Sequence, residues 1–248
     1  MPPCLAWAAM TADLAALCFA ALDPVRLARF WGDFLGWEAL DDSTLVPSDD
    51  TGFRLRFLPT SEPKTRANWI HFDLTSQSPE QQEETVARAL SLGGQPWDVG
   101  QLPEELHVVL ADPEGNELCV IEPGNNFLAD CGFIGALSSD GSQAVGYFWS
   151  EALGWPLVWD QDEETAIRAP AGGPKITWGG PPFASKVGRN RLHYDVAPAV
   201  GSNQDAEVAR LEVLGARRTG SSTCAAGALE LLDPDGNEFC LLPTPAAG

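Results

Sequence analysis

Asp112-Pro113-Glu114-Gly115-Asn116-Glu117-Leu118-Cys119 returns later in the chain as Asp233-Pro234-Asp235-Gly236-Asn237-Glu238-Phe239-Cys240. Three more pairs keep the same order and nearly the same spacing. Ile70-His71-Phe72-Asp73-Leu74 corresponds to Leu192-His193-Tyr194-Asp195-Val196. Val86-Ala87-Arg88 with Leu92-Gly93 corresponds to Val208-Ala209-Arg210 with Leu214-Gly215, and Phe30-Trp31 with Gly36-Trp37 to Phe148-Trp149 with Gly154-Trp155. Four collinear matches identify a tandem duplication. The period is too long for a solenoid repeat, so the sequence predicts two domains of one fold, residues 1–125 and 126–248. Residues present in only one copy are then the candidates for function.

Local signals place the elements. Asp23-Pro24 opens a helix, with aspartate as N-cap and proline in the first turn. Leu27, Phe30, Trp31 and Phe34 lie on one face of it, and Gly36 ends it. Val145, Phe148, Trp149 and Ala152 repeat that stripe before Gly154, so Trp31 and Trp149 are expected in the core. Ser78-Pro79-Glu80 starts a second helix, with Val86 and Leu90 expected to face inward and Gly93 to close it. Its counterpart runs from about Asn203 to Leu214. Each half ends in a hairpin around the Asp-Pro-x-Gly turn, with proline and glycine where a type I turn takes them. Each half therefore reads as two βαβββ-like modules. The predicted class is α+β, with curved, mostly antiparallel sheets and helices on one side. The free face of each sheet is expected to form a cup.

Composition narrows the function. At 44% hydrophobic residues each half can bury a core. With 15 Lys and Arg against 35 Asp and Glu, the formal charge is −20. Such a surface repels phosphate backbones, which argues against nucleic acid as a partner, and attracts cations. The six cysteines have no zinc spacing and no C-x-x-C. Cys119 and Cys240 are repeat partners and read as residues of two separate cores; the expected compartment is a reducing cytoplasm. The apolar stretch Met1–Leu22 lacks a basic start and is interrupted by Asp13 and Asp23, so neither a signal peptide nor a membrane span is expected.

The caps, the paired His-x-Asp strands and the closing hairpin together resemble the vicinal oxygen chelate superfamily, which includes glyoxalase I, bleomycin resistance proteins and extradiol dioxygenases. The resemblance is greatest to glyoxalase-like domain proteins of actinobacterial type. It covers nearly the whole chain, twice. It implies a small-molecule ligand in a cup and, in many relatives, a metal held by His or Gln on the first strand, His on the strand opening the second module, and Glu on closing strands. Here His71 and His193 match the middle position. The first strand, Leu14–Phe19, offers no His or Glu, and the closing-strand Glu is replaced by Cys119 and Cys240. Neither half aligns three ligands, so the expected cofactor is none and the expected metal ligands none, with a divalent metal as the alternative. Fused halves supply the pairing that single-domain relatives obtain by dimerising, so a monomer or weak homodimer is expected.

His71 and Asp73 point to one face of a strand, as do His193 and Asp195. Each pair is a candidate acid–base site, the carboxylate fixing the imidazole's tautomer; recurrence in both halves favours a structural role in locking the strand. Cys119 and Cys240 read as small buried residues of the cavity wall. Lys64 and Lys186, at equal steps before the two histidines, shape the entering loop, where either lysine suits an anionic group at the rim. Among unrepeated residues, Trp69 stands where the second half has Arg191. Trp97, Trp159 and Trp178 have no partner, His107 stands opposite Ala228, and Arg54 and Arg56 lie on a strand whose partner carries Ile176 and Trp178. A cup lined by these groups suits a flat aromatic guest. Two readings follow: a non-catalytic protein that binds a small aromatic or cationic natural product or drug, and a lyase- or isomerase-type enzyme on a carbonyl compound with His71 or His193 as general base. A metal-dependent glyoxalase or dioxygenase is a further form of the second.

Overall fold

The computed structural model describes residues 11–102, 104–182, 186–199, 201–220 and 224–244. The first ten residues, which include Cys4 and the start of the stretch weighed above as a leader, lie outside the described residues. The capping signals form the helices they predict. Asp23 Oδ1 accepts from the Arg26 amide at 3.1 Å, and Gly36 stops the helix at φ 73°. Asn203 Oδ1 accepts from the Ala206 amide at 2.8 Å, and Ser78 Oγ from the Gln81 amide at 3.2 Å. The first repeat runs β1 (Asp13–Ala21), α1 (Pro24–Leu35), β2 (Glu38–Asp41), β3 (Thr44–Val46), β4 (Arg54–Pro59), then β5 (Ile70–Leu74), α2 (Pro79–Ser91), β6 (Gln95–Pro96), β7 (Val108–Ala111) and β8 (Glu117–Val120). The second runs β9 (Ile134–Ser139), α3 (Gln143–Leu153), β10 (Leu157–Gln161), β11 (Glu164–Arg168), β12 (Lys175–Trp178), then β13 (Leu192–Ala197), α4 (Gln204–Leu214), β14 (Arg217–Arg218), β15 (Leu229–Leu232) and β16 (Glu238–Leu241).

The paired modules are those expected, and they join across the repeats. One eight-stranded sheet has the order β14-β15-β16-β13-β1-β4-β3-β2; the other has β10-β11-β12-β9-β5-β8-β7-β6. The first sheet thus combines the opening module of repeat one with the closing module of repeat two, and the second sheet combines the two inner modules. The seams are antiparallel, β1 on β13 and β5 on β9. Most other pairings are antiparallel too, with parallel contacts where β1 meets β4, β5 meets β8, β9 meets β12 and β13 meets β16.

Alternation along the strands sends Leu17, Phe19, Phe72, Leu74, Tyr194 and Phe239 into one shared core with the helices. Phe19 of the first sheet stacks on Phe72 of the second at 6.3 Å between ring centroids, and Trp31 lies 4.9 Å from Phe72. The repeated turn motif ties this core together. Asp112 Oδ1 accepts from the amides of Glu114 and Asn116, and Oδ2 accepts from Asn116 Nδ2 at 2.8 Å and Trp31 Nε1 at 3.0 Å. Asp233 accepts from the Asn237 amide and from Trp149 Nε1 in the same way. Burial pushes both carboxyls up, Asp233 to about 6.

Helix α2 departs from expectation. Its buried residues are Thr85 and Ala89; Val86 packs against the core as expected, while Leu90 is exposed. The Gly94 amide closes the helix on the Ala89 carbonyl oxygen at 2.9 Å, an approach that a Cβ on Gly94 would block.

Candidate functional site

The helix-free face of each sheet carries one polar cluster at its seam. On the first sheet Cys18 is in register with both His193 and Arg56, and Asp195 follows His193 on the same face. Arg56 Nη1 donates to Asp195 Oδ2 at 2.5 Å, and His193 Nε2 lies 3.6 Å from Asp195 Oδ1. His193 Nε2 is buried and has no hydrogen-bond partner. On the second sheet His71 is in register with Ser138 and Asp73 with Cys119. His71 Nε2 lies 3.4 Å from Asp73 Oδ1. Register explains both placements: residues two apart on β5 and on β13 share a face, and the neighbouring strand supplies the thiol.

Electrostatics separate the two clusters. Burial, reinforced by the Asp195 carboxylate, drives the Cys18 thiol well above its usual range. Burial also works against ionisation of Asp195, but His193, Cys18 and Arg56 together hold it below the ordinary carboxylate value. At His71 burial opposes the charged imidazole, and Asp73 and Cys119 overcome it, raising its pKa from 6.5 to about 10. His71 is therefore an imidazolium at neutral pH. Its folded value exceeds its unfolded one, so the stabilisation it gives is complete below pH ~6.5 and drains away as pH rises towards 10. Among the three histidine ring signals, the one from His71 should stay in its protonated position through pH 8 in an NMR titration. In Asp73→Asn it should titrate close to the unperturbed value.

These donors suit the metal implied by the resemblance poorly. Cys18, His193 and Asp195 bring three candidate ligand atoms within 4.8 Å of one another, as do His71, Asp73 and Cys119. In the first set the Arg56 guanidinium already holds Asp195, so an added cation would sit beside a fixed positive charge. In the second set His71 Nε2 already faces Asp73 Oδ1 at 3.4 Å, a pairing that an added cation would have to break. Cys240, the closing-strand counterpart of Cys119, is bonded in a disulfide to Cys224, with their Cα atoms 5.9 Å apart. This corrects the expectation of Cys240 as a free residue of the cavity wall: the stretch before β15 returns over β16 and brings the second cysteine within bonding range.

The second sheet's free face is covered in part by the segment joining the repeats, and the His71 side chain on it stays one-third exposed. Leu128 packs on Val109, Cys119, Ile121 and Ala136. Lys175 Nζ bonds the Phe127 carbonyl oxygen and reaches Asp130 Oδ1 at 2.8 Å, and Arg168 also pairs with Asp130. Thr75 Oγ1 donates to the Gly132 carbonyl oxygen at 2.9 Å. The first sheet instead opens into a pocket of about 340 Å³ between the loop before β5 and its counterpart before β13. Ala20 and Leu58 of the sheet, Trp69, Arg191 and His193 line it, together with Lys64, Arg66 and Arg189.

The candidates from sequence therefore scatter. His193 and Trp69 meet in this pocket, with Trp69 Nε1 donating to the Leu192 carbonyl oxygen at 2.8 Å. Asp195 and Arg56 lie beside His193 on the same face. Arg54 sits at the far end of β4 in an open depression with Asp49 and Asp50. Trp97 is exposed, its ring 5.3 Å from Lys64 Nζ. Trp159 packs edge-on against Phe127, at 5.8 Å. The His107 carbonyl accepts from Gln101 Nε2. Trp178 is fully buried in the core, and Cys119 lies under Leu128. Sequence reasoning missed Arg66 and Arg189 as pocket residues. The signal was available: they stand opposite Gly188 and Ala67 in the other repeat, as Arg191 stands opposite Trp69.

Two stretches of the chain, residues 16–121 and 136–242, match the family described as "Glyoxalase-like domain". Comparison with curated proteins returns no match. Among solved structures, glyoxalase I from Zea mays is similar over 94% of this chain and 92% of its own, at 12% identity and a TM-score of 0.60. A putative dioxygenase from Bacillus subtilis is similar over 96% and 87%, at 14% identity and a TM-score of 0.58. Identities this low speak for a shared fold. No described helix is long and apolar enough to cross a membrane.

Proposed function

Because the chain belongs to the glyoxalase-like domain family, with both repeats matching it, we propose that it binds a small organic molecule in the pocket of the first sheet and does so without a metal ion. The observation that carries this reading is the pocket of about 340 Å³ between the two strand-entry loops, with His193 and Trp69 in its wall. Volume and lining fit a guest of one or two rings, with Trp69 as an aromatic wall. The cationic guest suggested by the overall charge meets a lining of Lys64, Arg66, Arg189 and Arg191, which favours the opposite sign at this site.

The enzyme reading has its own support in the same atoms. Asp195 Oδ1 stands 3.6 Å from His193 Nε2 and can orient the imidazole, which leaves the other ring nitrogen, Nδ1, as the one that would take a proton from a carbonyl compound. Mapping of backbone amide shifts on addition of aromatic and dicarbonyl compounds, with metal analysis of the purified protein, separates the readings. Shifts in residues 59–69 and 187–193 without turnover, and with metal far below one ion per chain, support the binding protein. His193→Ala should then weaken binding about tenfold. Turnover of a dicarbonyl that disappears in His193→Ala replaces this reading with the enzyme. Stoichiometric metal whose removal abolishes binding overturns the metal-free assignment.

A further inference from the structure

We propose that the guest of this pocket is an organic anion whose oxyanion group is held by Arg66 and Arg191, with its apolar body against Trp69. The inference rests on the reading that the pocket holds a small molecule and adds its chemical class.

The distribution of charge points there first. The chain has 15 basic and 35 acidic residues, yet the pocket lining holds four of the basic ones and a single acidic one, Glu62. A surface this acidic repels anions in general; in the lining Lys64, Arg189 and Arg191 carry carboxylate partners, and Arg66 is the cation with none among the described residues.

The hydrogen bonding then separates committed cations from available ones. Lys64 is paired with Glu117 at 2.5 Å, both side chains more than nine-tenths buried. Arg189 is spent on Glu230 through both terminal nitrogens, at 3.1 and 2.5 Å. Arg66 has no carboxylate partner among the described residues. Its Nη2 donates to the Arg189 carbonyl oxygen at 2.6 Å and reaches Asn190 Oδ1 at 3.5 Å, which carries the guanidinium across the pocket to the strand entry beside Arg191. Arg191 has only 9% of its side chain exposed. Its Nη1 donates to the Glu62 carbonyl oxygen and its Nη2 to Glu114, while its Nε is buried with no partner.

A guanidinium presents its N–H groups in a planar fork that matches a carboxylate or sulfonate and offers nothing to an ammonium. An oxyanion seated here would accept from the free edge of Arg66 and lie beside the Arg191 guanidinium in the same lining. The same guest would bring its apolar part to Trp69, Ala20 and Leu58. Trp69 and Arg191 occupy equivalent positions in the two repeats, so the duplication has placed an aromatic wall and a cation in the lining of one pocket.

The test uses a matched pair of probes on the full chain: anilinonaphthalene sulfonate, an aromatic anion, and N-phenylnaphthylamine, which has the same rings and no charge. Binding is followed by probe fluorescence and located by amide shifts. The expected result is shifts in residues 59–69 and 187–193, with the sulfonate bound at least about tenfold more tightly than the neutral amine. That preference should shrink with added salt. It should vanish in Arg66→Gln, which leaves the Arg191–Glu114 pair in place. Equal affinity for the two probes at these loops, unchanged in Arg66→Gln, overturns the anion inference and leaves the pocket reading standing. Binding of both probes with no shift at these loops overturns the pocket reading itself.

Discussion

Glu114→Ala should destabilise the protein by about 3–5 kcal/mol, read as a fall in the urea midpoint at unchanged slope. The Glu114 carboxylate is 7% exposed and accepts three hydrogen bonds, from the Leu22 amide at 2.9 Å, the Asp23 amide at 2.8 Å and Arg191 Nη2 at 2.5 Å. It sits in the turn between β7 and β8, on the second sheet, while all three donors belong to the first. Its removal leaves a buried guanidinium without its counter-charge and two amides without acceptors at the entry to α1. The other repeat supplies a control. Asp235 holds the same place in its turn and accepts from the Ser142 amide and hydroxyl, both at 2.7 Å, at an exposed site with no arginine bonded to it among the described residues. Asp235→Ala should cost only about 1 kcal/mol, the value of an ordinary helix cap. Equal costs for the two variants would mean that the Arg191 pair contributes nothing.

Trp31→Ala should cost about 3–5 kcal/mol from lost burial alone. The side chain is wholly buried, with Phe19, Phe30, Phe34 and Phe72 around it. It also deprives the buried Asp112 of one of its donors. Trp31→Phe divides the two contributions. It keeps most of the ring volume and removes the indole N–H, while Asn116 Nδ2 still donates to Asp112 Oδ2 at 2.8 Å. A cost of about 1 kcal/mol is expected for this variant. A cost close to that of Trp31→Ala would place most of the energy in the hydrogen bond.

Local chemistry made much of this fold readable in advance. Asp23-Pro24, Ser78-Pro79, Asn203 and the two glycine-bearing turns act within a few residues of themselves, so their meaning survives without tertiary information. The pairing of modules does not work that way. The seam that puts Asp13 opposite Ala197 joins strands far apart in the chain, and nothing local to β1 or β13 names its partner. The orientation of Leu90 was lost for a related reason, because the face of α2 that is buried is set by its packing on the core rather than by its own sequence. Cys224 could not be matched to Cys240 from spacing, since the pairing depends on the path of the chain before β15. In the site, His193 and Trp69 were legible because strand alternation and comparison of the repeats both single them out. Arg66 and Arg189 required the same comparison to be carried into the loops. The retained His–Asp pairs gave no sign that one would be buried in the wall of a pocket and the other lie one-third exposed beside Leu128.

The cross-repeat seams also bear on how this protein could be taken apart. Neither half of the gene encodes a finished sheet: β1 and β5 both come from the first half, and each needs a strand of the second along its open edge. A polypeptide ending near the junction would present two raw backbone edges with nothing to cap them. Cutting the covalent tie should therefore yield fragments that associate with each other as one unit rather than two free-standing proteins, so the connection sets stoichiometry while the architecture is held by the strands on either side.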